Sequence, residues 1–152
     1  MSVFIPYDRS SFGYPDMVIR EFSHWVVLLR KPQITFGSLI LLCKEDVVYY
    51  SDVSEDAMIN FRSVIRCLEK SFIGAYPVKL FNYLMLRMVD PEVHFHVFPR
   101  YDSPLRYSTT TFKDVAWPKP IDLSLTLNVS DCTLIDICQH LRSIFSNYIE
   151  GK

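Results

Sequence analysis

The seven residues 92–98 alternate between polar and apolar side chains without interruption, Glu-Val-His-Phe-His-Val-Phe. This period of two is typical of a β-strand with one face in a core, because successive strand side chains point to opposite faces. The apolar side chains are predicted to enter the core together: Val93, Phe95 and Val97. The other face is then predicted to carry Glu92, His94 and His96. Two of the four histidines in the chain are therefore expected side by side, next to a carboxylate.

Three other apolar runs have the length and composition of strands. Runs 24–30 and 38–43 are separated by a turn with a proline and a glycine, and they predict a β-hairpin. Run 78–86 favours a strand and precedes the alternating segment, which Pro99 is expected to close. Residues 1–18 contain prolines, a glycine and several aromatic residues, and we expect an ordered lead-in that packs on the surface.

Two segments have helical periodicity. In the first, Ser54 is the predicted N-cap and Gly74 marks the expected end. In the second, Ser130 or Asp131 is expected to cap a helix with an apolar stripe along one side. The irregular stretch 100–120 between the motif and this helix predicts a long covering loop.

The composition fits a single domain over residues 1–152. Hydrophobic residues make up 49% of the chain, which supplies a core without disulfides or metals. The charges nearly cancel, with 16 Lys+Arg against 17 Asp+Glu and a formal net charge of −1. Binding to duplex nucleic acid needs a clustered surplus of cationic side chains, so a duplex nucleic-acid partner is not expected.

The sequence also argues against a membrane partner. No apolar run approaches the roughly 20 residues of a membrane span, and the first residues lack the basic and apolar regions of a signal peptide. We therefore expect a cytoplasmic protein. The four cysteines are far apart and form no C-x-x-C pair, so buried free thiols are predicted at Cys43, Cys67, Cys132 and Cys138. No cofactor is expected.

Three interpretations of the histidine face remain open from the residues alone. The first is a solvated sheet face without chemistry. The second is a metal site in which both imidazoles and the Glu92 carboxylate are ligands, although no other cluster in the sequence completes it and no metal is predicted. The third is nucleophilic catalysis, since an imidazole with a pKa of about 6.5 is mostly neutral at pH 7 and keeps a lone pair that can attack phosphorus.

The segment 90–100, DPEVHFHVFPR, resembles the signature of the histidine triad family of nucleotide hydrolases and transferases. In that signature three histidines alternate with apolar residues, and Pro-Arg often follows. The segment 25–44, WVVLLRKPQITFGSLILLCK, is similar to the hairpin that precedes the motif in the family. The order of the predicted elements also fits, and the resemblance covers about residues 20–102.

The resemblance implies an α+β fold with an antiparallel sheet of about five strands and two main helices, a homodimer, and activity on the phosphorus of nucleotides. His94 falls on the middle histidine, which in the family attacks the α-phosphorus and is transiently nucleotidylated. His96 falls on the third histidine, which contacts the phosphate and the leaving group. Asn82 corresponds to a family asparagine upstream of the motif. Arg100 follows the motif and is a candidate phosphate ligand, with an ion pair to Asp102 as the alternative.

Two departures from the signature concern the phosphate site. Glu92 takes the position of the first histidine, so a hydrogen-bond donor is replaced by an acceptor that repels phosphate unless it pairs with an imidazole or turns away. The family commonly has Gly-Gln four to five residues before the first histidine, where this chain has Arg87 and Met88. Arg87 is a candidate to replace part of the lost positive potential.

The sequence as a whole predicts an enzyme that cleaves a dinucleoside polyphosphate or a nucleoside phosphoramidate at the α-phosphate, as a hydrolase or nucleotidyl transferase with a covalent nucleotidyl-histidine intermediate. The alternative is a catalytically weak nucleotide-binding or regulatory module that kept the fold while Glu92 and Met88 weakened the phosphate site. Tyr107 and Trp117 of the long loop either stack on a nucleobase or bury the loop against the sheet.

Overall fold

The computed structural model describes residues 9–149 and contains a five-stranded antiparallel sheet with strand order β1-β2-β3-β5-β4. The strands of this sheet are β1 Val18–Glu21, β2 Trp25–Leu29, β3 Leu39–Cys43, β4 Leu80–Leu84 and β5 His94–Arg100. A separate two-stranded sheet consists of β6 Leu105–Tyr107 and β7 Thr110–Phe112. The helices are α1 Glu55–Ala75 and α2 Asp131–Ser146, and short 3-10 helices occupy Arg9–Phe12 and Tyr50–Asp52. The predicted α+β fold with five strands and two helices is confirmed.

The N-caps of both helices are serines. Ser54 Oγ accepts from the backbone N–H of Ala57 at the start of α1, and Ser130 Oγ accepts from Thr133 at the start of α2. The expected end of α1 at Gly74 is wrong by one residue, because Gly74 is helical and the helix ends at Ala75. Pro77 supplies the stop, since the residue before a proline is excluded from the helical region by steric clash.

The two faces of the large sheet are covered differently. Both helices pack on one face, where they bury the core with β2 side chains such as Trp25, whose indole N–H donates to the Ala57 carbonyl of α1 at 2.8 Å. The other face has a smaller apolar cluster, covered by Phe12 of the N-terminal 3-10 helix. Its sheet members are Val26, Leu28, Ile40 and Leu42. This thinner cover leaves room for a cleft on the second face.

Several boundaries differ from the prediction. The hairpin formed by runs 24–30 and 38–43 is confirmed, with Trp25 opposite Cys43. A strand that the sequence analysis missed, β1, begins at the end of the lead-in, and residues 1–8 lie outside the described part of the chain. Pro99 does not close the motif strand: it lies inside β5, opposite Phe81 of the edge strand. The loop at 100–120 contains the β6–β7 hairpin.

None of the four cysteines forms a disulfide within residues 9–149. Three of them are buried as predicted, but Cys132 is exposed in the first turn of α2, so the prediction for this residue is wrong. Within residues 9–149, no helix combines the length and the apolar character that crossing a membrane requires.

Candidate active site

Strand β5 lies between β3 and β4 and holds the two histidines of the motif. His94 is opposite Leu42 and His96 is opposite Ile40, so both imidazoles project from the face that carries the smaller apolar cluster. The ring centroids are 5.2 Å apart and the rings are nearly perpendicular, at 81°. The alternation in the sequence therefore places two imidazoles together on one face of a central strand.

His94 is fixed by its backbone neighbour. Its Nδ1 lies 2.7 Å from the main-chain carbonyl oxygen of Glu92. A carbonyl oxygen can only accept, so Nδ1 carries the proton and the lone pair of the neutral ring is on Nε2. The side chain is only 3% exposed, and the Phe12 ring packs edge-on against it with a centroid distance of 4.9 Å. The neutral His94 ring thus keeps its lone pair on Nε2, and Phe12 of the N-terminal 3-10 helix covers the ring.

His96 is half-buried and lines a cleft on the same face. Burial, followed by electrostatic interactions with Arg30 and with His94, lowers its pKa to about 4. Its Nδ1 is buried and has no hydrogen-bond partner within residues 9–149. At neutral pH the His96 ring is therefore uncharged, and it can donate one hydrogen bond but cannot supply a full positive charge to a phosphate.

The cleft beside His96 has a volume of about 360 Å³. Its apolar walls are Phe12 and Ile40, which belong to the smaller cluster. Its polar rim includes two cationic side chains, Arg30 and Lys31. A volume of this size is at the lower end of ligand-binding pockets, and the mixture of flat apolar walls and cations suits an aromatic anion.

Glu92 lies in a bend immediately before β5, not in the strand itself. Its side chain is 8% exposed, and within the described residues Oε2 has no hydrogen-bond partner. The main-chain carbonyl, not the carboxylate, makes the contact with His94. The carboxylate therefore does not pair with an imidazole, which was one of the two ways in which Glu92 could avoid repelling a phosphate.

The side chain of Arg100 is committed to a buried network. Its Nε and Nη2 donate to the two carboxylate oxygens of Asp114 at 2.6 and 3.1 Å. Nη2 also donates to the Lys119 carbonyl, and Nη1 donates to Asn82 Oδ1, each at 2.7 Å. Arg100 is 2% exposed. Arg100 and Asn82 thereby fasten the long loop to the sheet, and their contact with phosphate stays a prediction. The ion pair of Arg100 is with Asp114, while Asp102 pairs with Lys79.

Comparison with known proteins shows similarity in structure but not in sequence. No family model matches the sequence, and no curated protein matches it. A histidine triad protein from Bradyrhizobium japonicum is similar in structure, with a TM-score of 0.67 at 19% identity over 84% of this chain and 89% of that chain. A histidine triad protein from Marinobacter aquaeolei gives a TM-score of 0.68 at 15% identity over 87% of this chain and 90% of that chain.

A third similar structure is that of the diadenosine triphosphate hydrolase of Plasmodium falciparum in complex with cyclomarin A. Its TM-score is 0.54 at 11% identity, over 87% of this chain and 76% of that chain. The chain has the histidine triad fold. The resemblance noted in the sequence is confirmed at this level, because the structure reproduces the predicted five-stranded sheet and places the two histidines on an interior strand, β5.

The backbone of Arg87 has an unusual conformation. Its φ is +50°, in the left-handed region that residues other than glycine seldom adopt. Its Nη1 is buried and finds no partner among the described residues, and Arg87 is not among the side chains that line the cleft with His96. The structure therefore does not bring Arg87 to the histidines as an evident replacement for the lost donor.

The aromatic residues of the long loop serve packing in this histidine triad fold. Trp117 lies over the Arg100 guanidinium, with 5.7 Å from Cζ to the ring centroid. Tyr107 donates to Asp136 of α2 at 2.9 Å. As to a metal, the part of the chain between residues 9 and 149 contains no group of three His, Cys, Asp or Glu side chains arranged to hold an ion.

The sequence analysis missed three residues of the cleft: Phe12, Arg30 and Lys31. Phe12 comes from a lead-in about 80 residues away from the motif in sequence, and no periodicity connects the two. A signal for Arg30 was present, because it continues the alternation of Val26 and Leu28 past the end of β2, onto the face that carries the histidines.

Proposed function

We propose that this protein is a nucleotide hydrolase or nucleotidyl transferase in which His94 attacks the α-phosphorus of a nucleotide. The observation that carries the proposal is the hydrogen bond from His94 Nδ1 to the Glu92 carbonyl, which fixes the ring and leaves the lone pair on Nε2. The neighbouring ring of His96, 5.2 Å away, supports it with a hydrogen-bond donor for a phosphate oxygen.

In the first step the Nε2–P bond forms while the bond from phosphorus to the leaving group breaks. The leaving group departs with the electron pair, and the nucleotide stays on His94 as a phosphoryl-linked adduct. In the second step water attacks phosphorus, the N–P bond breaks, and a nucleoside monophosphate is released with the water proton passing to solvent. The adduct replaces one difficult displacement by two easier ones.

The neutral state of His96 bears on the choice of substrate. A neutral imidazole is a very weak acid, so it cannot easily protonate an amine as it leaves. A phosphate or nucleotide leaving group departs as a stable anion and needs no proton. The pKa of His96, lowered to about 4 by burial, therefore favours an anhydride such as a dinucleoside polyphosphate over a phosphoramidate.

The cleft supports a nucleoside as the part of the substrate that is held. Phe12 and Ile40 form an apolar wall beside His96, against which a planar base could pack. Since Phe12 also covers His94, binding of the base and exposure of the nucleophile would be coupled through a movement of this ring.

The test is incubation with a dinucleoside polyphosphate labelled in the α-phosphates and in the base, followed by a search for acid-labile label on the protein. We expect label on the wild-type protein, none on His94→Ala, and unchanged label on His140→Ala. His140 is the matched control because it is exposed on α2, which packs on the other face of the sheet. Equal turnover by His94→Ala would overturn the proposal.

A second candidate function is a nucleotide-binding or regulatory module with weak catalysis. The specific observation in its favour is the burial of His94 beneath Phe12, together with the acidic residue at position 92. Titration calorimetry separates the two candidates: tight nucleotide binding without product after many hours supports the module, and stoichiometric adduct on His94 supports the enzyme.

A homodimer is also part of the proposal. Strand β4 lies at an edge of the five-stranded sheet, and Leu80 at its start is exposed. An unpaired edge strand offers backbone donors and acceptors to a second strand. We expect a dimer in analytical ultracentrifugation, weakened by Leu80→Glu and unaffected by Leu123→Glu, which changes an exposed leucine in the loop before α2. A monomer at micromolar concentration would contradict it.

A cytoplasmic location is proposed as well, supported by four free thiols, which fit a reducing compartment. Cell fractionation of the tagged protein tests it, and recovery in an exported fraction would contradict it.

A further inference from the structure

Arg30 is a cation on the histidine face that the proposed reaction has not used. It follows β2 and lies with its guanidinium carbon 5.5 Å from the centroid of the Phe98 ring, on the same face as His96. It also lines the cleft with His96. Its Nη1 donates to the Pro32 carbonyl at 2.7 Å, and within residues 9–149 this is its only acceptor. The remaining guanidinium donors are therefore available to a ligand.

The backbone that carries Arg30 is held by a buried glutamine. Gln33 Nε2 donates to the carbonyls of Arg30 and Ser38, and Gln33 Oε1 accepts from the backbone N–H groups of Gly37 and Ser38. Gln33 is fully buried. A guanidinium on such a fixed loop loses little conformational entropy when it binds an anion.

The charges around the cleft leave a positive surplus. Lys31 lines the cleft together with Arg30, and Asp90, which also lines it, accepts from Ser11 Oγ at 3.2 Å. The two cations exceed the one carboxylate by one charge. Neither Arg30 nor Lys31 is needed for a neutral base or an unmodified ribose, and the attacked phosphate lies at His94, the histidine that does not line the cleft.

We propose that Arg30, assisted by Lys31, binds a second phosphate group of the substrate, in addition to the phosphate that His94 attacks. The inference rests on the proposed function and specifies its substrate class as a nucleotide with at least two phosphates. Two sources supply the same chemistry: the adjacent phosphate of a polyphosphate chain, or a phosphate on the ribose. A planar guanidinium can bind either one through two parallel hydrogen bonds.

The experiment is titration calorimetry of the full chain with four ligands. AMP has one phosphate, ADP adds a phosphate to the chain, and adenosine 2′,5′-bisphosphate and adenosine 3′,5′-bisphosphate add one to the ribose. We expect at least one of the three two-phosphate ligands to bind about tenfold or more tightly than AMP, as is typical of a charge-assisted contact. The two-phosphate ligand that binds more tightly than AMP identifies the source of the second phosphate.

Variants then test whether the two cations cause the tighter binding of the two-phosphate ligands. Arg30→Gln should remove the advantage of the second phosphate and leave the affinity for AMP nearly unchanged. Arg66→Gln is the matched control, because Arg66 is exposed on α1, which packs on the other face of the sheet. Lys31→Gln alters an exposed side chain and should reduce the advantage several-fold, so it gives an answer even where Arg30→Gln fails to fold. Asp90→Asn should increase the advantage.

The outcomes separate the inference from the proposed function. AMP binding equal to that of all two-phosphate ligands would overturn the inference alone, as would an advantage that persists in both Arg30→Gln and Lys31→Gln. Absence of binding by all four ligands would overturn the proposed function, and the inference with it.

Discussion

At the scale of single residues, the site depends on how the protein sets the protonation of two adjacent imidazoles. His94 is held in one tautomer by a carbonyl acceptor. His96 is kept neutral by burial and by electrostatic interactions with Arg30 and His94, while Asp90 opposes that shift. In a partly desolvated cleft the charged form of an imidazole is disfavoured, so the His96 ring stays uncharged until an anion arrives.

The first prediction concerns the titration of His96. Its pKa of about 4 lies below the roughly 6.5 of an unfolded chain, so the unfolded state binds more protons between these values. The free energy of unfolding should therefore fall as the pH decreases from 6.5 to 4, and this part of the loss should be absent in His96→Gln. Because the ring is partly solvated, we expect a contribution of about 1 kcal/mol.

Two measurements check this prediction. Urea unfolding across the pH range gives the difference between wild type and His96→Gln, and NMR titration gives the pKa of the ring itself. Phosphate-bearing ligands should raise that pKa, since a nearby anion favours the imidazolium. A pKa near 6.5 in the free protein would contradict the proposed electrostatics of the cleft.

The second prediction concerns the buried ion pair between Arg100 and Asp114. Removal of one partner leaves a buried charge uncompensated, so Asp114→Ala should lower the free energy of unfolding by about 3–5 kcal/mol. Lys79→Ala breaks the exposed pair with Asp102 and should cost less than about 1 kcal/mol. Chemical unfolding of both variants measures the two costs, and similar small losses would show that Arg100 does not anchor the loop.

At the scale of elements, the loop between β2 and β3 and helix α1 are packed against each other with a glycine at the contact. Gly37 has φ of +77°, and a Cβ added there would lie 2.5 Å from Cε1 of Phe72 in α1. Gly74, in the last turn of α1, has no atom within 4 Å of the same position. A Cβ at position 37 would therefore clash with the core, whereas position 74 has open space for one.

The third prediction uses this contrast. Gly37→Ala should destabilise the protein by about 2–4 kcal/mol, because the methyl group meets an aromatic ring that is packed in the core and the backbone is strained. Gly74→Ala should stabilise it by about 0.5–1 kcal/mol through helix propensity. Thermal unfolding of the two variants gives the comparison. A neutral Gly37→Ala would show that Phe72 moves aside easily.

At the scale of the whole molecule, the burial of the cysteine thiols indicates how closely the helices pack against the sheet. Three cysteines are buried among the strands and helices, and Cys132 alone is exposed. Burial also raises the pKa of Cys43 to about 11 and raises that of Cys138, which keeps both as unreactive thiols.

The fourth prediction is that one thiol per folded chain reacts rapidly with a disulfide reagent and that four react after unfolding. Cys132→Ser should abolish the rapid reaction without altering the slow phase, whereas Cys138→Ser should leave the rapid reaction intact. Absorbance of the released thiolate measures both phases. Rapid reaction of two or more thiols in the native protein would mean that the helices separate from the sheet more readily than this packing implies.

The sequence by itself determined both helices, four of the five strands of the large sheet and the placement of the two histidines on one face. An alternation of period two identifies the faces of a strand wherever one face is buried, and serine caps mark the helix starts, because these signals depend on residues close together in the chain. The histidine triad resemblance and the shared face of the two imidazoles were likewise predicted from residues close together in the chain.

Only the tertiary structure decided which other side chains reach those imidazoles. Arg100 lies four residues after His96, yet its guanidinium is used by Asp114 and Asn82, while Phe12 and Arg30 come from distant segments. The physical reason is that a side chain satisfies its hydrogen bonds and charge with whatever the packed chain brings near it, and sequence spacing carries no information about that neighbourhood. The tertiary packing of distant segments therefore decides which residues line the cleft.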